Sequence, residues 1–344
     1  MMSTSSPAPL TLRVAVEKWP LKEPFHITGY TMVDTDLVLV TLEQDGLTGR
    51  GEAAGVYYFN DDTTAMVTQI QRVRSVIEAG IDREGLQQLL PAGGARNALD
   101  CAVWDLEAQR LGIPAWQIAG LESPVPKITA HTIGAGAPEK MGRSALDYAH
   151  AKLIKLKLTG EPEDADRVRR VRAARPDVGL IVDANQGFTR ASLLALLPVL
   201  IEADVKLIEQ PLRIGQEAQM KNLDSPIPFG ADESAQTAAD VERLAPYFQV
   251  INIKLDKSGG LTEALAMVRE IQRLGLDAMV GNMTGTSLGM APAFLVAQSC
   301  KFVDLDGPMF LRSDRVPPVT YQDGAIGCPE SLWGGAVARA VTYR

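Results

Sequence analysis

The pattern of hydrophobic and polar positions changes its period near residue 126. Residues 11–54 contain the runs "TLRVAVEKW", "TDLVLVTLEQDG" and "GRGEAA". Their β-branched and aromatic side chains predict three strands, and "DGLTG" is a hairpin-like turn signal between the last two. The segment "GGARNALDCAVWDLEAQRLGIP" then places apolar side chains at helical spacing and ends with a Gly-x-Pro stop. This part of the chain predicts an α+β module.

Beyond residue 126, short apolar runs alternate with amphipathic segments. Eight runs predict strands: "KITAHTIG", "KLIKLKL", "GLIVDAN", "VKLIEQP", "IPFGADES", "QVINIKLDK", "LDAMVGN" and "KFVDLDG". Each of the first seven is followed by a sequence compatible with a helix. Such alternation predicts parallel βα units with right-handed crossovers, and eight of them favour a (β/α)₈-type barrel. A doubly wound open sheet is the alternative, but no G-x-G-x-x-G follows the first strand.

Most of these predicted strands carry charged side chains at their carboxyl ends. They are Lys155, Lys157, Asp183, Glu209, Asp232, Lys254, Asp304 and Asp306. In a barrel, the carboxyl ends of the strands form the active-site face, so we expect these groups to converge on one mouth. Three carboxylates on consecutive strands suit a hard divalent cation, most simply Mg²⁺, and no Cys/His set for zinc is present.

Several of these residues also have a structural interpretation. Asp183 and Asp232 could cap the helices that follow them. Lys155 and Lys157 point to one face of their strand, as they would on an exposed edge strand guarded by lysines. In an eight-stranded barrel, however, strands 2 and 6 are opposite. Lys157 and Lys254 would then flank one substrate atom, an arrangement suited to moving a proton from one face of a carbon to the other.

Composition narrows the possible partners. The net charge of −8 argues against nucleic acid and against an anionic membrane surface. Three widely spaced cysteines (Cys101, Cys300 and Cys328) have no metal-ligand spacing, and the simplest account is a reduced cytoplasmic protein. The first ten residues lack the features of a signal peptide, and the most apolar stretch, 191–203, is too short to span a bilayer.

The ordered set "KLK", "VDAN", "IEQP", "ADES" and "NIKLDKSGG" resembles the enolase superfamily, in its muconate-lactonising subgroup. The motifs "VDLDGP" and "PAGGARNALDCAVWDLEA" are similar to those of dipeptide epimerases. The resemblance implies a modified (β/α)₈ barrel of the (β/α)₇β type over residues 126–317. It also implies an α+β capping domain over 11–125, which we expect to be completed by about 318–344.

The resemblance also implies roles for individual residues. Asp183, Glu209 and Asp232 would bind Mg²⁺, Lys157 and Lys254 would be the two acid/base catalysts, Lys155 would tune Lys157, and Asp304 and Asp306 would bind the α-ammonium group of a dipeptide. The reaction implied is inversion of the carboxy-terminal residue's α-carbon through an enediolate. Lysine bases with Mg²⁺-stabilised ene-diolates are the general chemistry of this superfamily. We expect a small-molecule substrate and a homo-oligomer.

Side-chain specificity is the weakest part of the resemblance. L-Ala-D/L-Glu is the default substrate, but the arginine that the family pattern implies in the first loop is absent from "PLKEPFHITGYTM". The second loop, "GVYYFNDD", brings Tyr57, other aromatics and two acids, which could suit an aromatic, aliphatic or cationic side chain or could simply form core. His131 could contact substrate or be a core histidine.

Three functions from different classes remain open. The first is a dipeptide epimerase, including one for hydrophobic or cationic dipeptides. The second is a related enzyme on the same scaffold, such as o-succinylbenzoate synthase, N-succinylamino acid racemase or muconate cycloisomerase. The lyases and cycloisomerases of this group need no ammonium pocket, so the presence of Asp304 and Asp306 is evidence against these functions. The third is a catalytically silent binding protein, which the full set of carboxylates and lysines disfavours.

Overall fold

The amino-terminal part of the protein is an antiparallel sheet covered by helices. The computed structural model describes residues 9–27 and 30–336. The strands are β1 (Thr11–Ile27), β2 (Tyr30–Gln44) and β3 (Leu47–Ala54), and the helices are α1 (Thr63–Glu78), α2 (Arg83–Leu89), α3 (Gly94–Leu111) and α4 (Ala115–Ile118). The sheet has the order β1-β2-β3, and α3 packs on β2 and β3. Leu12, Val40 and Leu99 belong to the apolar core between these layers.

A sheet of eight parallel strands forms the second part of the molecule. After the short β4 (Lys127–Ile128), its strands are β5 (Ala130–Ile133), β6 (Leu153–Lys157), β7 (Gly179–Asp183), β8 (Val205–Glu209), β9 (Phe229–Ala231), β10 (Val250–Ile253), β11 (Asp277–Val280) and β12 (Phe302–Val303), in that spatial order. Between the two end strands, Leu305 N donates to Thr129 Oγ1 (2.9 Å) and Thr132 N donates to Asp306 Oδ2 (2.7 Å). The sheet is therefore a nearly closed barrel, which confirms the predicted fold class.

Helices follow most of the barrel strands. They are α5 (Pro138–Asp147), α6 (Asp164–Ala174), α7 (Arg190–Glu202), α8 (Ala238–Leu244), α9 (Leu255–Ser258), α10 (Leu261–Arg273) and α11 (Ser287–Ala297). The crossover after β8 has only a 3₁₀ helix at Glu217–Met220, contrary to the expectation of a helix there; Pro211, Pro226 and Pro228 disfavour a longer one. No helix in the described ranges is both long and apolar enough for a transmembrane span.

The alternation of side chains along the strands divides the barrel interior into layers. A buried apolar cluster closes the amino-terminal end of the barrel, with Ile181, Leu207 and Val250 among its members. Successive side chains of a strand point to opposite faces, so residues two positions further along point inward again. Because the next inward positions carry Lys, Asp, Glu and Asn, the layer above the apolar cluster is polar. This layer lies at the carboxyl ends of the strands.

The carboxy-terminal segment contacts both parts of the molecule. Strands β13 (Thr320–Gln322) and β14 (Ala325–Gly327) form a small antiparallel sheet with β4, which precedes the first barrel strand. Further along, Trp333 Nε1 donates to the carbonyl of Arg50 (2.9 Å), and Gly334 N donates to Asp105 (2.7 Å). Residues 337–344, part of the segment expected to complete the cap, lie outside the described residues. The division of the chain near residue 125 stays a prediction.

Buried polar contacts join the two parts next to β10. Arg96 of α3 donates to the carbonyls of Ser258 (2.6 Å) and Gly259 (3.2 Å). Asp100, one turn further along α3, accepts from the backbone N (3.0 Å) and the hydroxyl (2.6 Å) of Thr262. Since these groups are removed from water, each needs its partner, and the contacts hold α3 against the segment that follows β10.

Gly260 provides a test of this close packing. Its φ is +113°, and a Cβ there would lie 2.4 Å from Asp100 Oδ2. Gly275 also has positive φ (+68°), but a Cβ there would meet nothing within 4 Å. We expect Gly275→Ala to lower the free energy of unfolding by about 1 kcal/mol, the backbone cost alone, and Gly260→Ala to lower it by more than about 2 kcal/mol. Urea unfolding of both variants measures the difference, and equal losses would contradict the interpretation.

Candidate active site

Three fully buried carboxylates stand side by side at the ends of β7 and β8 and just after β9. Asp183, Glu209 and Asp232 are 0% exposed, and each offers an oxygen within 4.8 Å of the others. The capping interpretation does not account for them, because the helices that follow are capped by Thr189 and Thr237. A donor set of three carboxylates without nitrogen or sulfur fits a hard divalent cation such as Mg²⁺.

Burial and neighbouring charges shift the pKa values of Glu209 and Asp183 in opposite directions. Burial raises the pKa of Glu209 to about 8, and the adjacent charge of Asp183 adds to this effect. Burial acts in the same direction on Asp183, but the ammonium groups of Lys155 and Lys157 hold its pKa well below the usual range. Glu209 Oε2 is 2.7 Å from Lys155 Nζ but lacks hydrogen-bond geometry. Within the cluster, Glu209 Oε2 is therefore the one buried oxygen without a hydrogen-bond donor among the described residues, and such an oxygen is costly unless a cation binds it.

Lys155 is enclosed between carboxylates. It is 1% exposed, and its Nζ lies 3.0 Å from Asp183, 2.7 Å from Glu209 and 2.8 Å from Asp304. Burial lowers the pKa of Lys155, but these carboxylates outweigh burial and raise it well above its ordinary value. An ammonium group in this position offsets part of the negative charge of the polar layer. The exposed-edge interpretation of this strand is wrong, since β6 lies between β5 and β7.

Lys157 and Lys254 lie on opposite sides of the barrel mouth. They belong to the ends of β6 and β10, the second and sixth strands of the eight. Lys157 Nζ is 2.6 Å from Asp183 Oδ2, and Lys254 Nζ is 2.7 Å from Asp232 Oδ2. Burial lowers the pKa of Lys254, but Asp232, Glu209 and Asp183 together outweigh burial and raise it overall. The two lysines thus stand on either side of the carboxylate cluster.

Asp304 and Asp306 lie on the far side of Lys155 from the cluster. Asp304 accepts from Lys155, and Asp306 Oδ2 accepts from Thr132 N at 2.7 Å. Burial, together with the charge of Asp304, raises the pKa of Asp306 to about 7. A cavity of about 570 Å³ extends next to them, lined by Thr132, Tyr148 and cap residues 22–25, which the sequence placed in the first loop but which lie in β1. Asp304 and Asp306 thus form a second polar region, and the cavity lies beside it.

The remaining sequence-predicted residues differ in their placement. His131 is on the opposite face of β5 from Thr132; its ring packs edge-to-face on Tyr148 at 5.2 Å, and burial lowers its pKa. This placement favours the core interpretation of His131.

Tyr57 is 42% exposed in a 3₁₀ helix, Tyr57–Phe59, and its pKa is raised to about 12 by burial and by the charge of Glu233. Tyr57 therefore lies within electrostatic reach of the site.

The two acids of the second loop do not serve as a pocket for a cation. Asp61 accepts from the backbone N of Gly94 (2.7 Å), at the start of α3. Asp62 is the N-cap of α1 and accepts from Ala65 N (2.8 Å). Both carboxylates therefore stabilise helix starts, which weakens the case for a cationic substrate side chain.

Sequence reasoning missed two residues that contact the carboxylate cluster. Asn252 Nδ2 donates to Glu209 Oε1 at 2.7 Å; it is two positions before Lys254, so strand alternation alone could have predicted it. Lys257 Nζ lies 2.6 Å from Asp232 Oδ1. No strand periodicity points to Lys257, because it belongs to the short helix α9. Beside the cluster, Asn185 Nδ2 donates to Glu233 Oε1 at 3.3 Å.

Comparison with known families agrees with this geometry. Residues 140–332 match the model described as "Enolase C-terminal domain-like", and residues 10–120 match "Mandelate racemase / muconate lactonizing enzyme, N-terminal domain". The first match alone covers more than half of the chain. This chain belongs to the enolase superfamily.

Within the superfamily, the chain is similar to two characterised enzymes over most of its length. It is 39% identical to the L-Ala-D/L-Glu epimerase of Escherichia coli K12, over 92% of this chain and 99% of that protein. It is 38% identical to the N-acetyl-D-glutamate racemase of a Pseudoalteromonas species, over 87% of this chain and 96% of that protein. Both names are those of an epimerase or racemase that acts on a glutamate derivative.

Solved structures of the superfamily are also similar to this chain. An enolase family member from Agrobacterium tumefaciens with homology to dipeptide epimerases, with bound sodium and L-Ala-L-Glu, has a TM-score of 0.92 at 39% identity, covering 95% of this chain and 100% of that one. The dipeptide epimerase from Methylococcus capsulatus, complexed with Mg and L-Arg-D-Lys, has a TM-score of 0.87 at 29% identity, covering 95% and 99%. The superfamily fold thus extends over nearly the whole chain.

Proposed function

We propose that this protein is a Mg²⁺-dependent dipeptide epimerase that inverts the α-carbon of the carboxy-terminal residue, with L-Ala-D/L-Glu as the default substrate. The observation that carries the proposal is the pair Lys157 and Lys254, on opposite strands with the carboxylate cluster between them. Inversion requires a base on one face of the α-carbon and an acid on the other. One arrangement of two lysines can work in both directions.

Asp183, Glu209 and Asp232 would hold the cation. When bound, Mg²⁺ would offset the negative charge that develops on the substrate carboxylate as the α-proton leaves. Lys157 would then remove the proton from one face, while Lys254 delivers a proton to the other. Lys155, whose ammonium lies between the cluster and Asp304, would favour binding of the same carboxylate.

Asp304 and Asp306 would bind the dipeptide's α-ammonium group. They are on the opposite side of Lys155 from the cluster, so a substrate with its carboxylate at the cluster would point its amino end toward them. The cavity beside Thr132 and Tyr148 would receive the amino-terminal residue. Tyr57 is near Glu233 on the cap side, where it could contact the carboxy-terminal side chain.

An N-acylamino acid racemase is the second candidate. An N-acylated amino acid has the same reacting atoms as a dipeptide, namely the amide nitrogen, the α-carbon and the carboxylate, but it has no ammonium group. The observation in its favour is that Asp304 and Asp306 already have partners, in Lys155 and Thr132 N. The two functions differ only in whether these aspartates contribute to binding.

We also propose that the protein acts in the cytoplasm. Cys101, Cys300 and Cys328 are all free thiols in the structure, as in proteins of a reducing compartment. The expected homo-oligomer stays a prediction, which light scattering in solution would check.

Metal binding can be tested without substrate. Because each cluster carboxylate would contribute a negatively charged oxygen, we expect Asp183→Asn, Glu209→Gln and Asp232→Asn each to weaken Mg²⁺ binding at least about tenfold. Isothermal titration calorimetry measures the dissociation constants. Asp166→Asn, a change on the surface of α6, is the control and should bind Mg²⁺ like the wild type. Unchanged binding in all three cluster variants would remove the cation from this site.

The two-base mechanism predicts opposite effects of two lysine variants. In D₂O with Mg²⁺, wild type should exchange the carboxy-terminal α-hydrogen of both L-Ala-L-Glu and L-Ala-D-Glu. Lys157→Met should lose exchange from one epimer and Lys254→Met from the other, by about 10²–10⁴-fold, because each removes the base for one face. Proton NMR follows each exchange. Loss of exchange from the same epimer in both variants would contradict the assignment.

Asp306→Asn distinguishes the two candidate substrates. The amide can still accept from Thr132 N, but the negative charge is lost. For an epimerase we expect KM for L-Ala-L-Glu to rise about tenfold or more, with little change in turnover of N-acetylglutamate and in Mg²⁺ affinity. Steady-state kinetics with both substrates measures this. If KM for the dipeptide is unchanged and N-acetylglutamate is the better substrate, the racemase is the correct function.

A further inference from the structure

The four buried lysines of the site fall into two kinds. Lys155 and Lys257 are each 1% exposed, whereas Lys157 and Lys254 are 9% and 6% exposed. The two enclosed lysines each contact three acceptor groups, and the other two each contact one carboxylate oxygen. A lysine with one partner can turn toward a substrate, but one with three cannot do so without leaving buried acceptors unpaired.

Lys257 uses all three of its ammonium donors. Its Nζ contacts Asp232 Oδ1 (2.6 Å), the backbone carbonyl of Asp232, and the carbonyl of Asn252 (3.2 Å). An ammonium group has three N–H bonds, so no donor is left for a substrate. The contacts join the segment after β9 to β10.

The position of Lys257 follows from the one-turn helix that begins directly after Lys254. Helix α9 covers Leu255–Ser258, and Lys257 N donates to the carbonyl of Lys254. The turn ends at Gly259, whose left-handed conformation (φ +86°) stops the helix. Within this single turn the chain reverses, so that the side chain of Lys257 reaches back to Asp232 beside that of Lys254.

The carboxylate of Asp232 is therefore divided between two lysines. Lys257 contacts Oδ1, and Lys254 contacts Oδ2. We propose that Lys257 is a positioning residue that fixes the orientation of Asp232 and thereby keeps Lys254 free to act as a base. The proposal rests on the proposed function.

The physical reason is competition for the same carboxylate. Without Lys257, Asp232 Oδ1 and two carbonyls would be buried without this donor, and burial makes such groups costly. Lys254 is then the nearest remaining ammonium group, and we expect it to be drawn onto both oxygens of Asp232. A lysine held in that way is withdrawn from the substrate. Lys157 is paired with Asp183, so its half of the reaction should be affected less.

The test compares α-hydrogen exchange from each epimer in Lys257→Met. The variant Lys254→Met first identifies which epimer depends on Lys254. In Lys257→Met we expect exchange from that epimer to fall at least about tenfold more than exchange from the other. Lys152→Met, which removes an exposed lysine just before β6, is the matched control and should leave both rates unchanged. An equal fall for both epimers, or no fall, would overturn the proposal.

Two further measurements do not depend on activity. Calorimetry should show that Lys257→Met binds Mg²⁺ within about tenfold of wild type, because loss of a positive charge favours the cation while a misoriented ligand disfavours it. Abolished binding would mean that Lys257 serves the metal site as a whole, and it would overturn the proposal. A crystal structure of Lys257→Met should show Asp232 reoriented, with Lys254 on both oxygens. An unchanged Asp232 would also overturn it.

These readouts separate the failure of this inference from failure of the proposed function. If wild type exchanges no dipeptide, the proposed function fails, and the position of Asp232 in the crystal structure still decides whether Lys257 is its anchor. If Lys257→Met does not fold, Lys257→Gln, which keeps an amide donor, takes its place with the same criterion. The ratio of exchange rates decides the outcome for whichever variant folds.

Discussion

Compensation of buried charge is the constraint on which this molecule depends. Carboxylates that are 0% exposed would be strongly destabilising unless cations lay within contact distance, and the ends of β6 and β10 provide those cations. Removing one partner from such a network typically costs about 3–5 kcal/mol, whereas replacing the whole network with apolar side chains is often neutral or stabilising. Stability alone therefore does not explain why this layer is charged. The chemistry of a carboxylate substrate does.

The apolar layer beneath the site makes this arrangement possible. Ile181, Leu207 and Val250 close the amino-terminal end of the barrel, so the polar side chains above them open only toward the cap. Water is then limited to one side of the site, which strengthens each ionic contact within it. The same strands supply both layers, because their side chains alternate between the two faces.

The cap is joined to the segment that carries one of the proposed bases. Asp256 of α9 lies between Lys254 and Lys257 in the sequence. It accepts from Ala54 N (2.9 Å) and Asn97 Nδ2 (3.1 Å) of the cap. Next to these contacts, Glu52 of the cap accepts from Thr286 N at 2.8 Å. The motifs "GGARNALDCAVWDLEA" and "NIKLDKSGG", far apart in the chain, are thus two sides of one interface. Any displacement of the cap here would act on the segment that follows β10.

Much of the fold and site could be predicted from the sequence because both depend on local periodicity. Strand alternation placed Asp183 and Glu209 on the inward face, and the βα repeat placed Lys157 and Lys254 on opposite strands. The prediction was weaker where other geometry decides. His131 is on a strand but faces outward, Asp61 and its neighbour stabilise helix starts, and proline prevents a helix after β8.

The sequence by itself determined the barrel, the cap and the residues that line the mouth. A short stretch of chain shows whether it forms a helix or a strand, and it shows at which end that element carries charge. Only the tertiary structure decided which ammonium group meets which oxygen. Lys155 has three carboxylate neighbours and Lys157 has one, although they are two residues apart on the same strand. Lys257 reaches Asp232 because a single helical turn reverses the chain. Such pairings depend on distances between separate strands, which no local pattern specifies.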